Sequence, residues 1–482
     1  MSDKINKKSI ISGLGWTTVS TVTNGLVQIL RLSILSRFLS KEDFGIVAIL
    51  TFILGLTQVF SDMGFSAAVM SQKKIEIRNF LSLYWLQFWV FVIMMVSVSL
   101  CSPFIANYYK SPVLLQLVPI MMSELFFVSL GKLYDTVLQK NMEFRTIAIR
   151  NIVTASFSLL VAVVLAIQGF GVYSLVLSTV TQTALVNIWN LKSGQNHYRL
   201  SFQKVEFKEA KTLMKVGYYQ MGSQIVDYFA SKLDIIIISS TLGVGALGLY
   251  NLSKELILKF VIIVNTILNK VMLPVLASCQ DDMNELKRVF VLCLKNTFIF
   301  NAPIVGFVIL FCENIVILFY GKAFLEAVPI VQILAVWSLF VVIGQPNGLL
   351  AIATKKTNLS FWYTIVRLLI MYALLISFGR ISLLASAITV TAVYFIMFFV
   401  SWFMYVRKCV KLTLVEYVQI FEKPGSVIAL VVVVLFVLRM FVLQYGLNVN
   451  MINGVLFLLY VSFVALCLYV LEKDRIIRLI KR

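Results

Sequence analysis

A polar stripe crosses an apolar helix near the start of the chain. From Gly13 to Leu35 most positions are apolar, yet polar residues recur at steps of three and four. In an α-helix this spacing places the side chains on one face. The turn LSKEDFG (Leu39–Gly45) and a second apolar helix, which extends to Met70, follow. The stripe consists of Thr17, Ser20 with Thr21, Asn24, Gln28 and Arg31.

The same pattern occurs a second time. Sliding the sequence by 203 positions places Gly45 on Gly248 and Arg31 on Asp234. Two helices with the same polar face in the same register predict a duplicated transporter, in which the two stripes face each other across a cavity. The second stripe consists of Gln220, Ser223 with Gln224, Asp227, Ser231 and Asp234.

Apolar runs of roughly 20 residues, the length that crosses a bilayer, recur along the whole chain. The composition agrees, because 60% of the 482 residues are hydrophobic and 13% are charged, about half the charged fraction of a soluble protein. We therefore predict an all-α polytopic membrane protein with about 14 transmembrane helices. The predicted spans are roughly 10–36, 44–70, 80–102, 113–138, 147–168, 171–191, 214–241, 246–277, 289–312, 325–353, 359–379, 382–406, 425–446 and 451–471.

The repeat defines the predicted domains. Because six spans separate the two copies, both copies enter the membrane from the same side, as in a parallel pseudo-repeat. Two six-helix lobes would then surround a central cavity. The predicted parts are an N-terminal lobe (1–192), a cytoplasmic interlobe linker (193–213), a C-terminal lobe (214–406), a basic cytoplasmic loop (407–424), and two extra helices with a basic tail (425–482).

The net charge of +20 follows membrane topology and does not indicate nucleic-acid binding. Lysine and arginine concentrate in alternate loops, in the linker and in the C-terminal tail. Cytoplasmic loops carry such an excess, so both termini are predicted to be cytoplasmic. The loops assigned to the opposite side hold Arg37, Lys41, Lys110, Lys322 and Arg380.

Several charged side chains fall inside predicted spans, where each costs about 2.5–3.5 kcal/mol at a helix centre. Those near the cytoplasmic ends can snorkel to the interface. The deeper charges either form buried ion pairs or face a wet cavity. We favour the cavity, because buried pairs are a poor source of stability. The snorkelling set is Lys132, Asp135, Lys270 and Lys295, and Arg439 lies in a segment without a repeat partner.

A cavity with surplus positive charge suits a ligand with phosphate and hydroxyl groups. Guanidinium and ammonium groups bind phosphate, and side-chain amides bind hydroxyls. The candidate substrate-binding residues are Arg31, Asn24, Gln28, Lys259 and Arg367. Acids in the spans are candidates for ion coupling or charge pairing; Asp62 either carries a coupling proton or cation or neutralises a cavity base. These acids are Asp62, Glu124, Asp227 and Asp234.

Soluble-enzyme motifs are absent from the sequence. It has no P-loop, so ATP hydrolysis is not expected, and the six cysteines show neither disulfide nor metal-site spacing. His197, the single histidine, lies in the predicted linker and is interpreted as a bystander. We therefore expect a transporter that is not an enzyme, with no cofactor beyond H⁺ or Na⁺ as a coupling ion.

The stretch Leu35–Val69 resembles bacterial polysaccharide-transport flippases of the Wzx type. The resemblance is carried by LS-x-x-x-F-G (Leu39–Gly45) and F-S-D-x-G (Phe60–Gly64). These flippases belong to the multidrug/oligosaccharidyl-lipid/polysaccharide exporter superfamily. The resemblance implies a V-shaped pair of six-helix lobes in the bacterial cytoplasmic membrane, with cavity bases that meet pyrophosphate or acidic sugars. Related lipid II flippases also have arginine near the position of Arg31, whereas the second copy has Asp234.

The function that the resemblance implies is flipping of an undecaprenyl-pyrophosphate-linked oligosaccharide to the outer leaflet by alternating access. Membrane lipid, a polysaccharide polymerase and a chain-length regulator would be its partners. A cation-coupled drug exporter of the same superfamily and a lipid II flippase are the alternatives. A membrane-embedded glycosyl polymerase or ligase is disfavoured because the predicted outer loops are short. A structural scaffold is disfavoured because it would not need so many charges inside the membrane.

Overall fold

The computed structural model describes residues 7–62, 64–72, 75–201, 207–356, 358–444 and 454–464, and helix is the regular secondary structure throughout these ranges. The backbone forms two compact units, Met1–Leu252 and Ser253–Arg482. The predicted lobes follow the internal repeat instead of this division. Their boundaries, and the cavity expected between the two polar stripes, stay predictions.

The helices of the first unit are joined by short turns. Helices α6 and α8 pack closely against each other, and α1 packs along α7. Gly131 of α6 permits this approach, because a Cβ there would lie 2.5 Å from the carbonyl oxygen of Asn187. The helices are α1 (Lys7–Leu35), α2 (Lys41–Asp62), α3 (Phe65–Ser71), α4 (Ile77–Leu100), α5 (Ser102–Tyr108), α6 (Leu114–Lys140), α7 (Phe144–Ile167), α8 (Val172–Gly194), α9 (Phe207–Thr241) and the start of α10 (Val244–Ser278).

The motif LSKEDFG encodes the start of α2. Ser40 caps the helix, because its Oγ accepts a bond from the Asp43 amide at 3.2 Å, and Asp43 Oδ2 accepts the Ser40 amide at 2.9 Å. This reciprocal pair satisfies amides that a helix start leaves open. The motif therefore fixes where the second helix begins.

The two glycines that the repeat aligns lie in contact. A Cβ on Gly45 would lie 1.9 Å from the carbonyl oxygen of Val244, and a Cβ on Gly248 would lie 1.8 Å from that of Lys41. Backbone atoms cannot move away as a flexible side chain can. Glycine is thus required in both copies of the motif because the first turns of α2 and α10 touch through their backbones.

The predicted second span, 44–70, is not one continuous helix. Helix α2 ends at Asp62 and α3 begins at Phe65, with Gly64 between them at φ 80°. This left-handed conformation favours glycine and interrupts a helix. Lys140, at the end of α6, donates to the carbonyl oxygens of Val69, at 3.0 Å, and of Gln72, which are groups that the end of α3 leaves open.

The first residues of the predicted interlobe linker are fixed to the first unit. The Tyr198 ring stacks on Phe80 with 4.3 Å between centroids. Tyr134 Oη donates to the Tyr198 carbonyl at 3.0 Å, and Trp85 Nε1 donates to the Ser201 carbonyl at 3.0 Å. His197 also lies 2.5 Å from Glu143 Oε1. Residues 202–206 lie outside the described residues.

The second unit continues from α10. Helix α13 packs against α11 and α15, and α17 packs along α11. A large apolar cluster, which includes Phe290, Leu294 and Tyr417, fills the space between them. The elements are α11 (Met283–Leu310), α12 (Cys312–Tyr320), a 3₁₀ turn (Lys322–Ala327), α13 (Val328–Ala353), α14 (Asn358–Leu374), a π turn (Leu375–Gly379), α15 (Leu383–Ser401), a π turn (Trp402–Val406), α16 (Arg407–Cys409), α17 (Leu414–Gln444) and α18 (Gly454–Val464).

The basic segment predicted as a loop, 407–424, is helical from Leu414 onward. Thr413 and Glu416 form a capping box, because Glu416 Oε2 accepts the Thr413 amide at 2.8 Å and Thr413 Oγ1 accepts the Glu416 amide at 3.3 Å. The Tyr417 side chain in the first turn is fully buried. The helix therefore starts eleven residues before the predicted boundary at 425. The capping box and the buried Tyr417 side chain, which the prediction did not take into account, explain the difference.

The extra C-terminal helices dock on α11. A Cβ on Gly306 would lie 2.7 Å from Tyr460 Oη and 2.8 Å from Val432 Cγ2, so this glycine makes room for both α17 and α18. Arg439 donates to the Leu310 carbonyl at 2.6 Å and to Glu313 at 3.1 Å. Arg439 therefore helps to attach α17 to the second unit.

Within the described ranges the predicted spans fall on helical segments, whereas residues 63, 445–446, 451–453 and 465–471 of these spans lie outside those ranges. Ten of the described helical segments have the length and mean hydropathy to cross a membrane. The chain is thus a multi-pass membrane protein. The number of fourteen crossings and the orientation of the termini stay predictions.

Candidate functional site

Arg31 of α1 reaches across to α8. Its Nη2 donates to the Leu175 carbonyl at 2.9 Å and to the hydroxyls of Ser178 and Thr179, each at 2.7 Å. The side chain of Arg31 is half-buried. The backbone carbonyl and two hydroxyls of α8 therefore hold the guanidinium in a fixed position inside the first unit.

Glu124 of α6 lies on the other side of this cluster. It is 3% exposed, and its Oε2 accepts a hydrogen bond from Thr183 of α8 at 2.8 Å. Among the described residues, its other oxygen, Oε1, is buried without a hydrogen-bond partner. The charges of Arg31 and Glu124 attract each other. The structure thus brings together two residues that the sequence predicts for different roles.

Sequence reasoning overlooked the α8 side of this cluster. Ser178, Thr179 and Thr183 supply its hydroxyls. Ser178 and Thr179 lie one helical turn before Thr183, and this spacing was an available signal. Serine and threonine are common in membrane helices because they bond their own backbone, so the pattern did not stand out from ordinary helix positions.

The other polar side chains of the first stripe make only some of their hydrogen bonds within α1. Asn24 Nδ2 donates to Ser20 Oγ at 3.3 Å, while Asn24 Oδ1 is buried without a partner among the described residues. Gln28 is exposed. Asn24, Gln28 and Arg31 lie on successive turns, as the periodicity predicts. The three predicted substrate-binding residues of α1 therefore share one helix face.

The second stripe ends differently from the first. Asp234 is 2% exposed, and its Oδ2 accepts a hydrogen bond from Tyr250 Oη of α10 at 2.8 Å. Asp227 is exposed. The side chains of Gln220 and Ser223 lie outside the described residues. The repeat-related residues Arg31 and Asp234 both bond a neighbouring helix of the first unit.

Asp62 lies at the helix break, as the last residue of α2. Its Oδ1 accepts a hydrogen bond from Ser66 Oγ of α3 at 2.7 Å, and its side chain is half-buried. Both roles that the sequence leaves open, ion coupling and neutralisation of a base, stay predictions. The structure adds that Asp62 lies where the helix is interrupted.

Lys259 has an acidic partner on its own helix. Its Nζ lies 3.2 Å from Glu255 Oε2, one turn earlier in α10. Lys254, on the same helix, lies over the ring of Trp337 with 5.2 Å to the centroid. Lys259 is therefore paired within α10, whereas Lys254 lies against an aromatic side chain of α13.

Arg367 borders a cavity in the second unit. The cavity has a volume of about 210 Å³ and lies between α13, α14 and α15. Tyr363 and Arg367, one helical turn apart on α14, both face it. The lining residues are Phe340, Val341, Gly344, Gln345, Tyr363, Arg367, Tyr394, Met397, Phe398 and Ser401.

Two charges near the end of α6 and the start of α7 have a structural role that the sequence did not indicate. Arg150 is 4% exposed inside α7 and donates to Asp135 at 2.7 Å and to Asn190. The snorkelling interpretation of Asp135 stays a prediction, and the structure adds a partner for its charge. An ion pair, buried on the Arg150 side, joins α6 to α7, with Asn190 of α8 as a third partner. The side chain of Lys270, placed in the same snorkelling set, lies outside the described residues.

Comparisons with known proteins agree with this picture. Residues 34–329 match the family model described as polysaccharide biosynthesis protein. The chain is 25% identical over 434 residues to the teichuronic acid biosynthesis protein TuaB of Bacillus subtilis, and this alignment covers 89% of each chain. It is 25% identical over 394 residues to the lipopolysaccharide biosynthesis protein WzxC of Escherichia coli, which covers 80% of this chain and 77% of WzxC.

Solved transporters share the fold. The lipid II flippase MurJ in its inward closed conformation superimposes with a TM-score of 0.78 at 16% identity, over 95% of this chain and 99% of MurJ. An inward-facing multidrug resistance MATE family transporter of the MOP superfamily gives a TM-score of 0.61 at 14% identity, over 80% of this chain and 93% of the transporter. At these identities the likeness concerns the fold alone.

Proposed function

Because the chain belongs to the polysaccharide biosynthesis protein family, we propose that it flips an undecaprenyl-pyrophosphate-linked oligosaccharide across the bacterial cytoplasmic membrane. The names of its relatives refer to polysaccharide biosynthesis, and one of them is a succinoglycan biosynthesis transport protein. Its fold is that of flippases and transporters. This agrees with the prediction that the chain is not an enzyme.

The observation that carries the proposal is the placement of Arg31. Three bonds to α8 fix its guanidinium beside the helix face that carries Asn24 and Gln28. A guanidinium binds phosphate through paired hydrogen bonds, and amides bind sugar hydroxyls. One helix face therefore offers both kinds of group that a pyrophosphate-linked sugar needs.

In this mechanism Arg31, Asn24 and Gln28 bind the head group near the pyrophosphate, and Lys259 and Arg367 are the further candidate substrate-binding residues. The two lobes rock about the bound head group, as in other transporters with parallel repeats. The acids Asp62, Glu124, Asp227 and Asp234 balance the bases or take up H⁺ or Na⁺. Glu124 is the best placed acid, because its Oε1 is buried without a hydrogen-bond partner among the described residues and its charge and that of Arg31 attract each other.

The polyprenyl tail would stay in lipid during flipping. The outer face of α17 suits such a tail, because Leu430, Val433 and Val437 are apolar and exposed. A photoreactive polyprenyl lipid should therefore label 431–438. Absence of labelling there, with labelling elsewhere on the protein, would count against this route.

The proposal is tested by deleting the gene and measuring lipid-linked intermediates by mass spectrometry. We expect lipid-linked repeat units to accumulate in the cytoplasmic leaflet and polymer to disappear from the surface. Arg31→Ala should reproduce the loss with normal protein levels. Arg37→Ala is the matched control, because Arg37 is an exposed arginine in the turn after α1. Wild-type polymer from the Arg31 variant would remove Arg31 from the site.

A lipid II flippase is the second candidate, favoured by the likeness to MurJ over nearly the whole of both chains. Depletion of the host's own lipid II flippase distinguishes the two. Growth rescued by this chain would favour the second candidate. An unchanged lipid pool together with altered drug sensitivity in the deletion strain would favour a cation-coupled exporter instead.

A further inference from the structure

The segment that follows α8 stays attached to the first unit. We call residues 195–201 the docked segment. The Tyr198 ring stacks on the fully buried Phe80 ring of α4 with 4.3 Å between centroids. Tyr198 Oη donates to the Ile75 carbonyl oxygen at 3.3 Å, and Tyr134 Oη of α6 donates to the Tyr198 carbonyl oxygen at 3.0 Å. Tyr198 therefore contacts the α3–α4 connection, α4 and α6.

Contacts on either side of Tyr198 hold the docked segment as well. Trp85 Nε1 of α4 donates to the Ser201 carbonyl oxygen at 3.0 Å. His197 Nε2 lies 2.5 Å from Glu143 Oε1, in the turn between α6 and α7. Leu200 packs against the apolar cluster to which the Phe80 ring belongs. The chain is thus held on the first unit as far as Ser201.

This attachment shortens the connection between the two copies of the repeat. Helix α9, which carries the second stripe, begins at Phe207, six Cα–Cα steps after Ser201. At about 3.3–3.6 Å per step, an extended chain of that length reaches about 20 Å. With the segment detached, thirteen steps would separate Gly194, the end of α8, from Phe207 and would reach roughly 45 Å. Docking therefore more than halves the reach of the connection to α9.

We propose that the docked segment limits how far α9 can move away from the first copy of the repeat, and so sets the widest opening on the side of the predicted linker. This inference rests on the proposed function, because rocking of the two lobes requires α9 to move with the second lobe. Any state in which the start of α9 lies more than about 20 Å from Ser201 is excluded while the segment is docked. The limit follows from chain length and needs no bound ligand.

A purely structural role of the docked segment can be separated from this limit. Insertion of eight glycine and serine residues after Lys204 keeps every contact of the segment and raises the reach by roughly 28 Å. The same insertion after Gly169 is the matched control. It lengthens the turn between α7 and α8, where a Cβ on Gly169 meets no atom within 4 Å, and leaves the connection to α9 unchanged.

A second pair of variants acts on the contacts themselves. Trp85→Phe combined with Tyr198→Ala removes the ring stack and the hydrogen bonds donated by Tyr198 Oη and Trp85 Nε1. Tyr198→Phe alone keeps a ring against Phe80. We expect the double variant to behave like the insertion after Lys204, because both lengthen the free connection, and we expect Tyr198→Phe to behave like the wild type.

The test measures distances by double electron–electron resonance on the purified full-length protein in nanodiscs. Spin labels are attached to Met142→Cys, in the turn after α6, and Met283→Cys, at the start of α11; both positions are exposed and predicted to be cytoplasmic. Cys101, which is exposed, and Cys467 are first replaced by serine. We expect the longest populated distance to increase by about 5 Å or more, within the roughly 28 Å of added reach, in the insertion after Lys204 and in the double variant.

Equal longest distances in the wild type and in the insertion after Lys204 would overturn the inference. An equal increase with the insertion after Gly169 would overturn it too, and so would an increase with the Lys204 insertion but not with the double variant, because the docking contacts would then not set the limit. The proposed function is tested separately. Unchanged lipid intermediates in the deletion strain, together with longer distances in both variants, would refute the proposed function and leave the limit standing.

Discussion

Substitutions of Arg31 and Glu124 can distinguish a structural role of their charges, seen in stability, from a functional role, seen in transport. Arg31→Gln removes the charge that faces Glu124 and weakens the bonds to α8. Glu124 is 3% exposed, and its charge and that of Arg31 attract each other. A hydrogen bond that involves a charged group contributes about 1.5–3 kcal/mol, so we expect Arg31→Gln to lower the free energy of unfolding by about that amount, which is roughly a ten- to hundredfold change in the folding equilibrium.

Removing both charges should cost less than the sum of the single changes. Glu124→Gln keeps an oxygen that accepts from Thr183 and removes the buried negative charge. In the double variant neither charge is left alone in the interior. We expect the double-mutant cycle to give a coupling free energy of about 1–2 kcal/mol, within the range for interacting neighbours.

The assay combines stability with transport for the same four proteins. Reversible unfolding in mixed detergent gives the free energies, and surface polymer in the deletion strain gives transport. We expect the double variant to recover stability but not transport, because the guanidinium that binds the head group is missing. Arg37→Gln should change neither quantity. A coupling free energy near zero would show that the two charges act independently, and wild-type polymer from the double variant would show that their role is structural.

Three further predictions follow from packing in each unit. Gly248→Leu should abolish transport, because its Cβ would lie 1.8 Å from a backbone oxygen, whereas Gly15→Leu, with no atom within 4 Å of its Cβ, should retain surface polymer. Arg150→Met should lower the free energy of unfolding by about 3–5 kcal/mol, and adding Asp135→Asn should restore part of this loss in the same detergent assay. If the double variant recovered no stability, Arg150 and Asp135 would not stabilise the fold as a pair. Gly306→Leu should destabilise by about 1–3 kcal/mol through overpacking and make the C-terminal helices more sensitive to protease, so unchanged proteolysis would contradict the docking on α11.

The sequence could predict the candidate site only in part. The helical period placed Asn24, Gln28 and Arg31 on one face, and the structure keeps them there. The same reasoning found Arg367 but overlooked the aromatic residues around it. Tyr363 and Arg367 lie four positions apart, which was a usable signal, whereas Tyr394 comes from another helix and shares no local pattern with them. Periodicity identifies residues on one helix and carries no information about which other helix packs against it.

By itself the sequence determined that this is a helical membrane protein, where its helices lie, and that two copies of one motif occur. These features follow from composition and from the 3.6-residue period, which are local properties of the chain. The tertiary structure decided which charges are paired and which helices are interrupted. Arg150 with Asp135, Arg439 with Glu313 and Arg31 with α8 each join distant segments. A charge inside a membrane needs a partner, but the partner is chosen by the packing of helices in three dimensions, which no single segment encodes.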